Sequence, residues 1–200
     1  MNNRLVILDR DGVINRLRPL GVADPAEWRA LPGSLDAIAQ LCRADYRVAV
    51  VTNQSGIGAG RYSINTLNRI HRKMLDELQP RGGAISAVFF CPHTAEAGCA
   101  CRKPKPGLFL ELAERLRCNL REVYAVGDSL RDLQAARQSG ARPVLVKTGN
   151  GKKTATQIRA DPAAAEFTDV PVHQNLAAFA NALLSGDNDN NRDGGARDER

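Results

Sequence analysis

Near its amino terminus the chain reads RLVILDRDG over residues 4–12, a short apolar run that passes directly into two acidic residues. A continuous apolar run of this length is typical of a strand buried on both faces, as in a parallel sheet. Similar runs recur four more times, at residues 48–51, 85–90, 123–126 and 143–146. We therefore predict a sheet of five strands, the first over residues 4–8.

Between these runs, apolar residues recur at the spacing of helices that pack on a sheet. The stripes are Leu35, Ile38, Leu41 and Cys42; Ile64, Leu67, Ile70, Met74 and Leu78; and Leu108, Leu112 and Leu116. A fourth helix is predicted over 130–139, with Ser129 before it and Gly140 as its carboxyl cap, and Ser63 is a candidate N-cap for the second. The alternation predicts an α/β doubly wound fold, a mostly parallel sheet with helices on both faces.

Length and composition fit a single globular domain. The 200 residues are 43% hydrophobic and 25% charged, which is ordinary for such a domain. No apolar stretch approaches the roughly 20 residues of a membrane span, and no secretory signal is visible, so we expect a cytoplasmic protein. Residues 185–200 read SGDNDNNRDGGARDER. So little apolar surface cannot offset the entropy of ordering, and we predict a domain over 1–184 and a disordered polar tail over 185–200.

The charge and cysteine content narrow the classes of partner. A net charge of +6 suits an anionic partner, and both phosphate metabolites and nucleic acids qualify. Aromatic residues make up only 4% of the chain, which leaves few platforms for stacking single-stranded bases. Five cysteines, an odd number in a chain without a visible signal, argue against a disulfide framework.

Polar residues follow four of the five predicted strands, where ligands bind in open parallel sheets. Asp9 and Asp11 lie two residues apart just past the first strand, so both carboxylates can face one pocket. Two acids this close repel unless a cation or a shared proton relieves them. Magnesium is the natural cation, because it prefers carboxylates and substrate phosphate oxygens. On its own, the D-x-D-G pattern fits a simple turn equally well.

The second and later strands end in groups suited to phosphate. Thr52 and Asn53 offer a hydroxyl and an amide that can hold phosphate oxygens. Lys103 can neutralise a transferring phosphoryl group, and Arg102 beside it can grip a second phosphate.

The fourth strand supplies further carboxylates. Asp128 follows it directly and provides another carboxylate for a metal. Asp132, one helical turn on, either ligates the metal or holds the loop, and an acid in a first helical turn is also favoured by the helix dipole.

The order acid pair, hydroxyl, lysine, acid, each after a strand, resembles the haloacid dehalogenase (HAD) superfamily of aspartate-nucleophile phosphatases. Its four motifs would be residues 9–12, Thr52, Lys103 and 127–128. Within that superfamily, four segments are similar to the D,D-heptose 1,7-bisphosphate 7-phosphatase group and to its close relative, the histidinol-phosphate phosphatase group. They are LDRDGVIN (8–15), VTNQSGI (51–57), CPH (91–93) and CRKP (101–104).

The resemblance implies a magnesium-dependent phosphatase without a large cap domain. It implies that Asp9 is the nucleophile that forms an aspartyl-phosphate and that Asp11 is the general acid and base. Thr52 and Lys103 would stabilise the transferring oxygens. Magnesium would be bound by Asp9, Asp128 and the backbone carbonyl of Asp11.

The resemblance also implies the substrate class and the setting. Asn53, Gln54, Ser55 and Arg102 would bind substrate, the 7-phosphate of the heptose bisphosphate would be removed, and the product would lead to the ADP-heptose precursor of the lipopolysaccharide core. Ser129 departs from the group, in which a lysine often follows the last aspartate. We expect a monomer that acts on a small sugar phosphate, with no nucleic acid or membrane partner.

Cys91, His93, Cys99 and Cys101 lie within eleven residues. Three thiolates and an imidazole fit a tetrahedral structural zinc site, which leaves no open position for catalysis. Reduced thiols in a surface loop are the alternative, and the resemblance favours zinc. Because Arg102 follows Cys101 directly, the metal would fix where the neighbouring cations point.

Three rival functions remain at this point. A histidinol-phosphate phosphatase would perform the same chemistry on another substrate. A phospho-receiver domain would also phosphorylate an aspartate, without needing a second acid at position 11, and would stay phosphorylated. A basic zinc module that binds nucleic acid would show steeply salt-dependent binding.

Overall fold

The computed structural model describes residues 4–194, and these contain one six-stranded sheet in which every neighbouring pair of strands is parallel. In sheet order the strands run β3-β2-β1-β4-β5-β6. Their bounds are β1 Leu5–Leu8, β2 Arg47–Asn53, β3 Ala87–Cys91, β4 Tyr124–Gly127, β5 Arg142–Val146 and β6 Val172–His173. The five predicted strands and the doubly wound α/β class are confirmed.

Six α-helices connect and cover the strands within the described residues. They are α1 Ser34–Arg43, α2 Ile64–Leu78, α3 Gly107–Leu116, α4 Leu130–Ser139, α5 Gly151–Ala160 and α6 Leu176–Gly194. The first four coincide with the predicted stripes. No separate cap domain interrupts the described part of the chain, as expected.

Alternate residues of each strand point to opposite faces and build two layers of core. Val6 and Leu8 of β1 pack with α1, α2 and α6 on one face. Leu5 and Ile7 pack with α3 and α4 on the other. The central strand is therefore apolar at every position because it is buried from both sides.

The predicted caps are present. Ser63 precedes α2 and its hydroxyl accepts a hydrogen bond from the backbone N–H of Thr66. Gly140 ends α4 in the left-handed conformation, with φ of 84°, which costs a glycine little. Ser129 and Asp132 form a reciprocal capping box at the start of α4.

The carboxyl-terminal segment was predicted to be a disordered tail over 185–200. The last helix, α6, continues to Gly194, and residues 195–200 lie outside the described residues. The domain boundary at 184 stays a prediction. Within residues 4–194, no helix is both long and apolar enough to cross a membrane.

Candidate active site

An open pocket of about 240 Å³ lies beyond the carboxyl ends of β1, β2 and β4. Parallel strands direct their carboxyl ends to one edge of the sheet, which gathers residues distant in sequence. The nine candidates predicted for catalysis, magnesium and substrate all line it: Asp9, Asp11, Thr52, Asn53, Gln54, Ser55, Arg102, Lys103 and Asp128.

Three carboxylates meet at the base of the pocket. Oxygens of Asp9, Asp128 and Asp132 lie within 4.8 Å of one another. Burial, partly opposed by Lys103, raises the pKa of Asp9 to about 6, and burial with the charges of Asp132 and Asp9 raises the pKa of Asp128 to about 8. Raised values mean that the folded protein disfavours the ionised carboxylates, so a divalent cation would relieve their repulsion.

Lys103 is the cation buried among these acids. Its Nζ lies 3.0 Å from Asp9 Oδ1 and 2.5 Å from Asp132 Oδ1, and it donates to the carbonyl oxygen of Val51 at 2.8 Å. Burial alone would lower the pKa of Lys103, but the two carboxylates outweigh it and raise that pKa. The lysine is therefore charged beside the oxygens of Asp9.

Asp132 holds the lysine and the helix start. Besides its ion pair with Lys103, its Oδ2 accepts from the Ser129 hydroxyl at 2.5 Å and from the Ser129 backbone N–H at 3.0 Å. Burial opposes ionisation of Asp132, yet Lys103 and Ser129 outweigh burial and lower its pKa. Of the two roles left open for Asp132, these contacts favour holding the loop.

Asp11 stands at the wall of the pocket and accepts three side-chain hydrogen bonds. They come from Arg10 at 2.8 Å, Gln54 at 2.9 Å and Asn15 at 2.9 Å. Burial works against ionisation, but the Arg10 charge and these bonds outweigh it and lower the pKa of Asp11.

The four residues predicted to bind substrate occupy different depths. Ser55 and Arg102 line the pocket, and Arg102 also donates to the carbonyl oxygen of His93 at 3.2 Å. The Asn53 amide exchanges two hydrogen bonds with the backbone of Lys103, at 3.0 and 3.1 Å. Gln54 is only 2% exposed, and its amide bonds Asp11 and Thr52. Asn53 thus ties the lysine loop to the end of β2.

Two glycines let the backbone approach Asp128 closely. A Cβ at Gly12 or at Gly149 would lie 2.1 Å from Asp128 Oδ2, and both glycines have positive φ, at 89° and 55°. Asp128 Oδ2 also accepts from the Asn150 backbone N–H at 2.7 Å. The carboxylate therefore lies packed between the loops that follow β1 and β5.

The four predicted zinc ligands converge beside the pocket. Sγ of Cys91, Cys99 and Cys101 and Nδ1 of His93 lie 3.2–3.6 Å apart in the contacts that join them. A zinc tetrahedron with Zn–S bonds of about 2.3 Å has edges of about 3.8 Å. The donor set and its spacing therefore fit a closed four-ligand zinc site.

Sequence reasoning missed five residues of this site: four contact predicted residues, and His71 contacts Arg10, which is one of those four. Arg10 and Asn15 follow β1, and Asn150 follows β5. The sequence could indicate these three only as polar residues near the ends of strands. Tyr62 and His71 carry no sequence signal, because their partners are 8 and 61 residues away. Each of the missed residues contacts another side chain of the protein.

The arrangement suits transfer of a phosphoryl group. It combines a carboxylate beside a buried ammonium group, a second carboxylate on the pocket wall, a hydroxyl and a site with the donors that magnesium prefers.

Comparison with known proteins agrees with this chemistry. Residues 100–170 match the HAD-hydrolase-like family model. D-glycero-beta-D-manno-heptose-1,7-bisphosphate 7-phosphatase of Bordetella bronchiseptica is 54% identical over 77% of this chain and 86% of that protein. The Pseudomonas aeruginosa protein of the same name is 40% identical over 92% and 99%. The crystal structure of the B. bronchiseptica D,D-heptose 1,7-bisphosphate phosphatase, complexed with magnesium and phosphate, superposes with a TM-score of 0.86, covering 92% of this chain and 99% of that one at 50% identity.

Proposed function

This chain belongs to the family of HAD-like phosphatases that includes the D-glycero-beta-D-manno-heptose-1,7-bisphosphate 7-phosphatases, and we propose that it removes the 7-phosphate of that sugar bisphosphate to leave heptose 1-phosphate. The observation that carries the proposal is Asp9, whose carboxylate lies at the base of an open pocket within 3.0 Å of the Lys103 ammonium group. We further propose the β anomer, which the names of the relatives specify.

In the first step, an oxygen of Asp9 attacks phosphorus and the bond between phosphorus and the C7 oxygen breaks. Asp11 is ionised in the free protein; it takes up a proton when the anionic phosphate binds beside it and supplies that proton to the leaving oxygen. Lys103 and Thr52 stabilise the charge on the transferring oxygens. In the second step, Asp11 takes a proton from water, which attacks phosphorus and releases phosphate from Asp9.

Magnesium would be held by Asp9, Asp128 and the backbone carbonyl of Asp11. When bound, it would neutralise phosphate oxygens and the mutual repulsion of the carboxylates. The donor set fits because it consists of oxygens only and because burial has raised the pKa of both aspartates.

Zinc would be structural, bound by Cys91, His93, Cys99 and Cys101. Four protein ligands complete its tetrahedron and leave no place for water. Arg102 leaves this loop toward the pocket and is suited to the second phosphate of the substrate, since a guanidinium fork matches phosphate oxygens.

The proposed setting is the cytoplasmic synthesis of the ADP-heptose precursor, by a monomer that binds neither nucleic acid nor membrane. The product keeps its 1-phosphate, so a nucleotidyl transfer onto that phosphate is the class of reaction that would consume it.

The test is phosphate release, with magnesium, from the β and α anomers of heptose 1,7-bisphosphate and from histidinol phosphate. We expect the highest kcat/KM on the β anomer, with phosphorus NMR showing an intact 1-phosphate. Faster release from histidinol phosphate, or loss of the 1-phosphate, would overturn the assignment. Stable phosphorylation without turnover would instead indicate a receiver domain.

A further inference from the structure

A buried hydrogen-bond network lies behind Asp11, and Gln54 is at its centre. The Gln54 Nε2 donates to Asp11 Oδ2 and to Thr52 Oγ1, each at 2.9 Å. Its Oε1 accepts from Arg10 Nη2 at 3.0 Å and from Tyr62 Oη at 2.7 Å. A carboxamide has two N–H donors and two acceptor lone pairs. Gln54 therefore has no hydrogen-bonding capacity left for substrate.

The network permits only one orientation of the Gln54 amide. Rotation by 180° would turn its NH₂ group toward the Arg10 guanidinium, which has donors and no acceptor. The Tyr62 hydroxyl bonds the same oxygen, and burial raises the pKa of Tyr62, which keeps that hydroxyl protonated. Tyr62 and Arg10 together therefore hold the amide N–H against Asp11.

The position of Tyr62 depends on a glycine. A Cβ at Gly56 would lie 2.1 Å from Cε1 of the Tyr62 ring. The loop between them is closed by a hydrogen bond from the Arg61 N–H to the Gly56 carbonyl oxygen, at 2.8 Å. Gly56 thus provides the space in which the tyrosine ring reaches Gln54.

Arg10 is held from behind by a histidine of α2. The Arg10 side chain is fully buried, and its Nη1 lies 3.2 Å from Nε2 of His71. Burial, together with the nearby guanidinium charge, lowers the pKa of His71 to about 4. The neutral ring accepts from the guanidinium and orients it without cancelling its charge, which stays available to Asp11.

We propose that Tyr62 and His71 are positioning residues for Asp11, with Tyr62 acting through Gln54 and His71 acting through Arg10. Neither side chain is hydrogen-bonded to Asp11 itself; each fixes a group that is. The inference rests on the proposed function, in which Asp11 protonates the leaving oxygen. It also reassigns Gln54, from binding substrate to holding the acid.

A positioning role for Tyr62 and His71 predicts that their loss affects kcat/KM for one class of substrate and not another. A misplaced acid penalises a substrate whose leaving group needs a proton, such as the sugar oxygen of heptose 1,7-bisphosphate. It spares p-nitrophenyl phosphate, whose leaving phenolate departs without one. General acid catalysis contributes about 10²- to 10⁴-fold, so a displaced acid loses part of that factor on the sugar phosphate alone.

The test compares kcat/KM for these two substrates, with magnesium, in Tyr62→Phe, His71→Leu and Asp11→Asn variants. kcat/KM covers only the steps up to release of the leaving group, so it excludes the later hydrolysis in which Asp11 acts as base. Tyr124→Phe is the matched control, because it removes a tyrosine hydroxyl at the opposite end of the strands.

We expect Tyr62→Phe and His71→Leu to lower kcat/KM on the sugar phosphate about tenfold or more, and on p-nitrophenyl phosphate less than about threefold. Asp11→Asn should show the same selectivity to a greater degree. His71→Gln, which offers an acceptor oxygen near the place of Nε2, should restore the ratio of the two substrates, and Tyr124→Phe should leave it unchanged.

Two results distinguish a wrong role for Asp11 from a wrong role for Tyr62 and His71. If Asp11→Asn lowers kcat/KM on both substrates equally, the acid role of Asp11 in the proposed function is wrong. If Asp11→Asn is selective while Tyr62→Phe and His71→Leu lower both substrates equally, or neither, the positioning role is overturned. Gly56→Ala, which displaces the ring and keeps the hydroxyl, should follow Tyr62→Phe.

Discussion

Lys103 shows how one buried charge organises the site at the scale of single residues. Its side chain is 3% exposed, and its ammonium group is shared between Asp9 and Asp132. An isolated buried ammonium ion would be costly, and two ionised partners offset that cost. Asp132 therefore keeps the lysine charged and in place, and Asp9 remains open toward the pocket.

Part of this site could be predicted from residue spacing alone. Asp9 and Asp128 directly follow β1 and β4, Thr52 is the last residue but one of β2, and Lys103 lies in the segment after β3. The topology of a parallel sheet therefore brings them together. Spacing leaves two roles open for Asp132, because it cannot show that the Asp132 oxygens are bonded to Lys103 and Ser129. Tyr62 and His71 could not be predicted, because their contacts are with other protein groups that the fold brings near them.

We expect Gly12→Ala to lower turnover about 100-fold or more. The added Cβ would lie 2.1 Å from Asp128 Oδ2, and a displacement near 1 Å at a reacting centre costs on the order of 100-fold. Gly82→Ala is the control, since Gly82 has φ of 77° with nothing near its Cβ. Both variants lose roughly 1–2 kcal/mol of stability from the left-handed backbone, and only the first should lose turnover. Equal turnover in the two would contradict the close packing.

At the scale of elements, the segment from the end of β3 to Lys103 joins the cysteine cluster to the pocket. Cys91 is the last residue of β3, and Cys101 precedes Arg102 and Lys103. The Asn53 amide anchors the other end of this segment to β2. A metal bound at the cysteines would thus stiffen the segment that carries both cations.

Cys101→Ser is expected to lower zinc content and turnover together, while the need for magnesium remains. The loss would arise because the segment that carries Lys103 loosens, and a loss of about tenfold to 100-fold is expected. Elemental analysis beside magnesium-titrated kinetics measures both quantities. Cys118→Ser, outside the cluster, should keep both. A Cys101→Ser protein that has lost zinc and retains full turnover would show that the metal does not position the cations.

The elements themselves were predictable where apolar periodicity was strong. The predicted helix over 130–139 coincides with α4, because capping residues mark both of its ends. Helix α5 was missed, since GKKTATQIRA buries only Gly151, Thr154 and Ile158 and shows no apolar stripe. Strand β6 has two residues, too few for any periodicity.

Across the whole molecule, two acids of the pocket, Asp9 and Asp128, oppose folding when they are ionised and no cation neutralises them. The pKa of Asp9 is raised to about 6 and that of Asp128 to about 8, so these two groups bind more protons in the folded state than in the unfolded chain between about pH 4 and pH 8. Stability contributed by these protons is present below pH 4 and is lost as pH rises through 6 and 8. His71, whose pKa is lowered to about 4, acts in the opposite sense below about pH 6.5, and its contribution is smaller than that of Asp128.

The melting temperature measured in a chelator is therefore expected to fall by about 5 °C or more from pH 5.5 to pH 8.5. Magnesium should raise it more at pH 8.5 than at pH 5.5, because the metal replaces the protons. Asp128→Asn should reduce both effects. If the melting temperature in chelator rises from pH 5.5 to pH 8.5, and does so equally in Asp128→Asn, the raised pKa values of these acids are refuted.

The proposed mechanism requires Asp9 to be the group that carries the phosphoryl. The decisive measurement mixes the protein with magnesium and heptose 1,7-bisphosphate, quenches within milliseconds, reduces with borohydride and locates the modified residue by mass spectrometry. An aspartyl-phosphate is reduced to homoserine, so we predict homoserine at position 9, with Asp9→Asn unmodified and slowed on the order of 10⁴-fold or more. Rapid phosphate release with no modification at position 9, or with Asp9→Asn still active, would show that Asp9 is not the nucleophile.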